Sequence, residues 1–139
     1  MLSMELLPQS AIIAQDKFSK HQLYILEAGL FNLICDELKD YFAEEQKKYF
    51  RLLKTTPHKE NEMIEETLAR CVVKDIISSG MYTLSGIARY THSSEDVLFD
   101  IVSGQNRDPS TNLFSRIIKL HQSVRPDLYR DILKKLVLT

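Results

Sequence analysis

The sequence predicts an all-α protein, a helical bundle preceded by a long N-terminal helical extension. Apolar residues recur at three- and four-residue steps over most of the 139 residues, which is the periodicity of amphipathic helices. The chain contains only four Gly and four Pro, whereas a protein of strands and turns needs such residues every few positions. The length fits one domain, or a small domain with a helical extension.

The charge of the chain is nearly balanced, with a net charge of −1. Residues 1–80 carry 10 Lys and Arg against 13 Asp and Glu, and residues 81–139 carry 8 against 6. The two parts therefore have charges of −3 and +2. This small difference weakly favours the C-terminal part as a surface that faces nucleic acid.

Cysteine usage and the first residues indicate a cytoplasmic protein. Cys35 and Cys71 lie in apolar helical stripes and form no CxxC pair, so we expect buried free thiols in a reducing compartment. The opening residues, Met-Leu-Ser-Met-Glu-Leu-Leu-Pro, contain no basic segment followed by a long apolar one. We therefore expect no signal peptide and no membrane span.

A long helix is predicted from about residue 20 to Lys54. Ser19 and Gln22 have the spacing of a capping box, in which each side chain bonds a backbone N–H of the other. At 1.5 Å per residue such a helix is about 50 Å long, so we expect either a break near 43–46 or a partner chain covering it. Residues 1–18 fit a short helix or a docking arm. The apolar stripe is expected to be either core or a dimer surface, and it consists of Leu23, Leu26, Leu30, Leu33, Ile34, Leu38, Tyr41 and Phe42.

A second helix is predicted from Thr56 and Pro57 to about Ser79, with Gly80 ending it in the left-handed conformation. The predicted domain boundary precedes this helix. Residues 1–56 form the extension, expected to dimerise or dock, and residues 57–139 form the compact domain. The expected inward positions are Met63 or Ile64, Leu68, Cys71, Val72 and Ile76.

Four shorter helices are then predicted by their capping residues. Thr83 precedes a helix over 84–90, and Ser94 precedes a helix over 95–103 that Gly104 ends. Asp108 is predicted to cap the next helix with Pro109 at its first position. The last helix restarts at 125–127. Inward positions of these last two helices are Leu113, Ile117, Ile118, Leu120, Leu128 or Tyr129, Ile132, Leu133 and Leu136.

The segment from Ile64 to Leu120, about two fifths of the chain, resembles a known family. The pattern is Ile87-Ala88-Arg-Tyr-Thr91-x-x-Ser94-x-x-x-Leu98-x-x-Ile101-x-x-Gly104, followed by Asp108-Pro109-Ser110-x-x-Leu113-x-x-Ile117. It is similar to the lambda-repressor/Cro-like (Xre-type) helix-turn-helix. The same residues have a physical meaning that does not depend on the family. The small Ala88 indicates that two helices cross there, and Ile87, Leu98 and Ile101 indicate the core that fixes the angle between them.

The resemblance implies binding of duplex DNA, with the helix over 95–103 entering the major groove. By position, the base-reading residues would be Glu95, Asp96 and Phe99, at the start of that helix after the capping Ser94. Arg116 and Lys119 would add positive charge at the edge. The residues expected near phosphates are Thr83, Arg89, Asn106, Arg107, Ser110 and Thr111.

The reading positions depart from the usual family pattern. Glu95, Asp96 and Asp100 are acidic, whereas family members usually carry Gln, Ser, Thr, Arg or Asn there. A carboxylate can accept a hydrogen bond from cytosine, but the phosphates repel it. Acids at a helix N-terminus also stabilise the helix by about 0.3–1 kcal/mol whatever its function. Phe99 would indicate a protein-contact surface if exposed and a core position if buried.

No catalytic or cofactor motif is present in the sequence. There is no nucleophile elbow, phosphate-binding Gly loop, HExxH or CxxC, and none of the four histidines has another His or a Cys at helical spacing. We therefore expect no enzyme, no cofactor and no metal. The expected function is a bacterial or phage-type transcriptional regulator that binds DNA as a homodimer, because one module offers few base contacts. The alternative is an interaction module whose acidic helix binds a protein partner.

Overall fold

The chain is all-α, as predicted. The computed structural model describes residues 19–53 and 67–138, and within these ranges every regular element is a helix. The predicted structure of residues 1–18, and of the segment containing Thr56, Pro57, Met63 and Ile64, lies outside the described residues. The prediction of one helix running from Pro57 through to Ser79 was wrong, because Thr67 is extended (φ −68°, ψ 150°) and caps a helix that begins at Leu68. The helices are α1 (Lys20–Leu53), α2 (Leu68–Ser78), α3 (Leu84–Thr91), α4 (Glu95–Ser103), α5 (Thr111–Val124) and α6 (Pro126–Leu138).

Helix α1 starts at the predicted capping box. The Ser19 N–H donates to Gln22 Oε1 at 2.9 Å, and the Gln22 N–H donates to Ser19 Oγ at 3.2 Å. The helix then continues over 34 residues, so the break expected near 43–46 does not occur. In that region the exposed Lys47 and Glu44 side chains form an ion pair, with Nζ and Oε1 3.7 Å apart.

The apolar stripe of α1 is narrower than predicted. Ile34 and Leu38 are fully buried, as expected, but Leu26 and Leu33 are 41% and 50% exposed. Of the two possibilities for this stripe, core or dimer surface, only part of it is core. At about 100° per residue, Leu33 and Leu26 lie about 120° and 100° around the helix from the midpoint of Ile34 and Leu38, on the flank of the buried face.

Hydroxyl caps start the helices of the compact part. The side chains of Thr67, Thr83, Ser94 and Ser110 each accept from the backbone N–H three residues on, which satisfies a donor that the helix itself cannot pair. Gly80 and Gly104 have φ values of +79° and +86°. They end α2 and α4 in the left-handed conformation, as predicted.

The start of α5 differs from the prediction. Ser110, and not Asp108, is its cap, and Thr111, and not Pro109, is its first residue. Asn106 Oδ1 accepts from the Asp108 N–H at 3.2 Å, so the chain bends before the helix begins. The Ser110 hydroxyl then accepts from the third residue along the helix, which the Asp108 side chain is too far back to do.

One apolar core joins all six helices. Its centre contains fully buried aliphatic side chains from α2, α3, α4 and α5, and α1 adds Ile34 and Leu38 to the same cluster. Burying such a side chain contributes about 1.5–3 kcal/mol. The core therefore fixes α3 and α4 from behind, on the side opposite to their outer surface. The other fully buried aliphatic residues are Val72, Val73, Ile76, Ile87, Leu98, Ile101, Ile117, Ile118 and Leu120.

Candidate functional site

The unit formed by α3, the turn 92–94 and α4 is held in one conformation by hydrogen bonds within the turn. His92 adopts the left-handed conformation with φ 56° and ψ 38°. The Ser93 N–H then donates to the Ala88 carbonyl at 2.9 Å. The buried Thr91 hydroxyl lies 2.8 Å from the Ile87 carbonyl oxygen and 2.8 Å from Ser93 Oγ. The angle between α3 and α4 is therefore fixed locally.

Two arginines hold the C-terminal ends of α3 and α4. Arg116 Nη1 on α5 donates to the Thr91 carbonyl at 3.1 Å, and Arg70 Nε on α2 donates to the Val102 carbonyl at 2.7 Å. The last carbonyls of a helix lack partners inside the helix, and cations there also interact favourably with the helix dipole. Arg116, expected at the DNA edge, thus also positions the turn.

The outer face of α4 carries the predicted base-reading residues. Glu95 and Asp96 are exposed, and Phe99 is 59% exposed. Leu98 and Ile101, on the opposite side of the same helix, are fully buried. Of the two possibilities for Phe99, the structure shows the exposed one. The acids serve as N-terminal residues of α4, just after the cap, where the helix dipole favours negative charge.

Three helix starts near this face have solvent-exposed hydroxyl caps. Thr83 accepts from the Gly86 N–H at 3.1 Å, Ser94 from Val97 at 3.3 Å and Ser110 from Leu113 at 3.2 Å. A hydroxyl that accepts such a bond still carries its own proton as a donor. Thr111, directly after Ser110, is exposed as well.

The remaining predicted phosphate contacts lie in different surroundings. Arg89 and Arg107 are exposed, with Arg107 at a groove lined by α1 and the start of α5. Asn106 is half-buried and shapes the loop: its N–H donates to the Asp100 carbonyl at 2.9 Å, and its side chain accepts from Asp108. The structural role of Asn106 is visible only once the loop is folded.

Acids outnumber bases by one within this unit and its flanking loops. Residues 81–116 contain three arginines and four acids, a balance of −1, which Lys119 on α5 brings to 0. Arg89 lies in the last turn of α3, Arg107 in the loop before α5 and Arg116 on α5, whereas three of the acids are on α4 itself. The charged residues are Arg89, Arg107, Arg116, Glu95, Asp96, Asp100 and Asp108.

A buried polar cluster behind the helices was not anticipated from the sequence. His121 is 0% exposed. Its Nε2 lies 2.7 Å from Asp75 Oδ2, and its Nδ1 lies 2.8 Å from the Tyr129 hydroxyl. Arg125 donates to both oxygens of Asp75, at 3.1 and 3.3 Å. The cluster joins α2, α5 and α6. Two of its members, Asp75 on α2 and His121 on α5, are 46 residues apart in the sequence.

The chemistry of these partners assigns the protons. A carboxylate only accepts, so His121 Nε2 donates to Asp75, and the Tyr129 hydroxyl can donate to Nδ1 of a neutral ring. Burial alone would raise the pKa of Asp75, but the hydrogen bonds from His121 and Arg125 outweigh it and lower that pKa from 3.8 to about 2. Burial raises the pKa of Tyr129 well above 10.0. Because His121 is enclosed and its partners are paired, the cluster has a structural role and holds α2, α5 and α6 together.

The two cysteines differ in environment. Cys35 is buried and Cys71 is half-buried, neither forms a disulfide, and the Gln46 amide donates to Cys71 Sγ at 3.9 Å. Burial raises the pKa of Cys35 from 9.0 to about 11, which leaves the thiol protonated and unreactive at neutral pH. Within residues 19–53 and 67–138, no three His, Cys, Asp or Glu side chains cluster at a distance suited to a metal ion. In the same ranges no helix is long and apolar enough to cross a membrane.

Comparison of the chain with models of known protein families, with curated proteins and with solved structures finds no match.

Proposed function

We propose that the protein is a transcriptional regulator that binds duplex DNA, with α3 and α4 as its helix-turn-helix. The observation that supports this is the exposed outer face of α4. The inner side of α4 is packed in the core, and the turn before α4 is held by hydrogen bonds. Leu98 and Ile101 anchor α4 in the core, while Arg116 and the Thr91 hydroxyl fix the turn. A recognition helix needs such a rigid support to read base edges.

The phosphate contacts in this proposal come from helix starts and flanking arginines. The N-terminal ends of α3 and α5 carry partial positive charge and exposed hydroxyls at Thr83 and Ser110. Arg89 and Arg107 add full positive charges on the exposed surface. Contacts of this kind set the position of a protein on DNA, whereas Glu95, Asp96 and Phe99 would meet the bases.

The proposal predicts salt-dependent binding that depends on these arginines. The fluorescence anisotropy of a labelled random duplex, titrated with protein at 50 and 200 mM salt, measures the affinity. In Arg89→Ala/Arg107→Ala, we expect binding to weaken similarly for all sequences and the salt slope to fall by roughly one to two, since each phosphate contact releases counterions.

The matched control removes two positive charges elsewhere. Arg130 and Lys134 are exposed on α6, and Arg130→Ala/Lys134→Ala should change the salt slope far less than Arg89→Ala/Arg107→Ala. Equal effects of the two pairs would mean that net charge, and not this face, determines binding. No binding by the wild-type protein at 50 mM salt would contradict the proposal.

A second function is favoured by one observation, the exposure of Phe99 between acidic residues. An aromatic side chain that is 59% exposed beside Glu95 and Asp96 suits a protein partner with an apolar pocket and basic rim. Glu95→Gln separates the two functions. It should tighten binding to random DNA if α4 faces phosphates, and it should leave DNA binding absent if α4 binds a protein.

We expect the regulator to act as a homodimer. A single helix-turn-helix offers few base contacts, and two copies can reach half-sites one DNA turn apart.

A further inference from the structure

Part of α1 exposes an apolar surface on the side away from the core. Ile25, Leu26 and Leu33 are 56%, 41% and 50% exposed. Ile25, Gly29 and Leu33 follow at four-residue steps, so they lie above one another on one face of the helix. The face is turned away from Ile34 and Leu38, which bind α1 to the bundle. We call Ile25, Leu26, Gly29 and Leu33 the outer α1 face.

Gly29 at the middle of this face contacts no other helix of residues 19–53 and 67–138. Glycine is among the least favourable residues in a helix interior. Some helices need it because a neighbour approaches closely, yet among the described residues a Cβ added to Gly29 would meet nothing within 4 Å. A glycine with exposed Ile25 and Leu33 one turn to either side is the pattern expected where a second helix crosses at short distance.

We propose that the outer α1 face pairs with the same face of a second copy of this chain, antiparallel and crossing at Gly29. The pattern is self-complementary about this position. Ile25 would contact Leu33 of the partner subunit, and Leu33 would contact the partner's Ile25, as a two-fold interface requires. The absence of a side chain at Gly29 lets the two backbones approach.

The charges along α1 favour antiparallel pairing with a second copy. Asp36 and Asp40 lie two to three turns beyond Gly29 on the outer α1 face, both exposed, and the first turn of the helix, where Gln22 is on this face, lies about as far before it. Antiparallel pairing brings the positive start of one helix to Asp36 and Asp40 of the other. Parallel pairing would set each of these acids against its own copy, which is repulsive.

The contact area is that of one helix crossing, smaller than the standard interface of about 1,600 Å². We therefore expect a reversible dimer with a dissociation constant on the order of micromolar. The inference rests on the dimer part of the proposed function. It does not require DNA, and its test contains none, so failure of one leaves the other standing.

Sedimentation velocity of the full chain between 1 and 100 µM tests the pairing. We expect a concentration-dependent dimer, and at least a tenfold higher dissociation constant for Leu33→Glu. The matched control is Val137→Glu on α6, where Val137 is 55% exposed, and it should dimerise like wild type. Circular dichroism checks that both variants remain helical. A wild-type monomer at 100 µM, or a dimer unaffected by Leu33→Glu, would overturn the proposal.

Gly29→Ala distinguishes a glycine at a helix crossing from one that is merely exposed, because only at a crossing should the substitution weaken dimerisation. Alanine favours the helix, so thermal stability at low protein concentration should rise. Dimerisation should weaken severalfold, because the added methyl group separates the backbones. Stronger dimerisation of Gly29→Ala than of wild type would count against a close crossing at this residue.

Disulfide cross-linking between introduced cysteines tests whether the two α1 helices are antiparallel or parallel. Under mild oxidation, Ile25→Cys/Leu33→Cys should form a cross-linked dimer and Ile25→Cys alone should not, relative to the wild-type background from Cys35 and Cys71. Cross-linking by Ile25→Cys alone would indicate parallel helices and contradict the proposed arrangement. A monomeric wild type that loses stability on Leu33→Glu would show that the chain's own residues cover this face.

Discussion

At the scale of single residues, His121 shows how one polar side chain can fix three helices. It is fully buried on α5, and it connects Asp75 on α2 with Tyr129 on α6. Arg125 completes the cluster by binding both Asp75 oxygens. In the described part of the chain, no buried side-chain nitrogen or oxygen is left without a hydrogen-bond partner. Removing one member would leave others unsatisfied, which is costly in a buried site.

The Asp75 pKa predicts how stability depends on pH. The folded-state pKa is about 2, below the ordinary 3.8. The stabilisation is therefore fully present above about pH 4, and it is lost as the pH falls through the folded-state value near 2. Asp75→Asn should lower the free energy of unfolding by about 1–3 kcal/mol at pH 7, and by clearly less at pH 2. Urea unfolding at both pH values measures the difference.

The control for this experiment is an exposed ion pair. Asp127 lies 3.1 Å from Arg130, but its side chain is 87% exposed. Asp127→Asn should change the free energy of unfolding by less than about 1 kcal/mol. An Asp75→Asn effect that is the same at pH 7 and pH 2 would contradict the role assigned to the ionised carboxylate.

At the scale of the elements, the turn between α3 and α4 is the feature that presents the candidate site. His92 is the only residue other than glycine with positive φ among residues 19–53 and 67–138. Residues other than Gly and Asn fit this conformation poorly, because the Cβ of the residue approaches the following carbonyl oxygen. The bonds of Thr91 and Ser93 offset this strain and keep the turn closed.

Replacing His92 with glycine should relieve the strain. We expect His92→Gly to raise the free energy of unfolding by about 0.5–1 kcal/mol, since glycine adopts positive φ readily. Ser85→Gly within α3, where the residue is exposed and helical, should instead lower it by about 0.5 kcal/mol. Chemical denaturation measures both, and a destabilising His92→Gly would show that the imidazole makes a compensating contact.

At the scale of the whole molecule, α1 is part of the same core as the other helices. Ile34 and Leu38 join the central apolar cluster. Phe31 packs edge-on against Phe114 on α5, with ring centroids 5.8 Å apart. Lys135 on α6 binds Glu37 at 2.9 Å, but this exposed pair contributes little. Apolar packing therefore holds α1 against the bundle.

Ile34→Ala tests whether α1 and the bundle unfold together. The cavity in a closed core should lower the free energy of unfolding by about 2–5 kcal/mol in a single cooperative transition. Leu52→Ala, at a side chain that is 82% exposed, should change it by less than about 0.5 kcal/mol. Two separate transitions in circular dichroism would mean that α1 forms an independent unit.

The sequence predicted the helices well because their signals are local. Capping hydroxyls such as Thr83 and Ser94 and the terminating Gly104 act within one turn of their own position. The prediction failed at the start of α5, where Asp108 and Ser110 are both good caps. In the structure the Asp108 N–H donates to Asn106 Oδ1 and the Ser110 hydroxyl caps the helix, a choice between two local bonding patterns that residue type alone does not make.

The sequence by itself determined the all-α class, the capping box of α1, the turn between α3 and α4, and most of the core positions. All of these depend on residues within a few positions of each other, where helical periodicity and capping chemistry act.

Only the tertiary structure decided which side of α1 is buried, that Phe99 is exposed, and that His121 meets Asp75 and Tyr129. These outcomes depend on residues tens of positions apart, and helical periodicity carries no information about which distant side chains will meet. The same packing leaves Gly29 without a contact from the other described helices and produces the outer α1 face. The physical reason is that burial is a property of the assembled surface, so a helix acquires an inside and an outside only when its neighbours are in place.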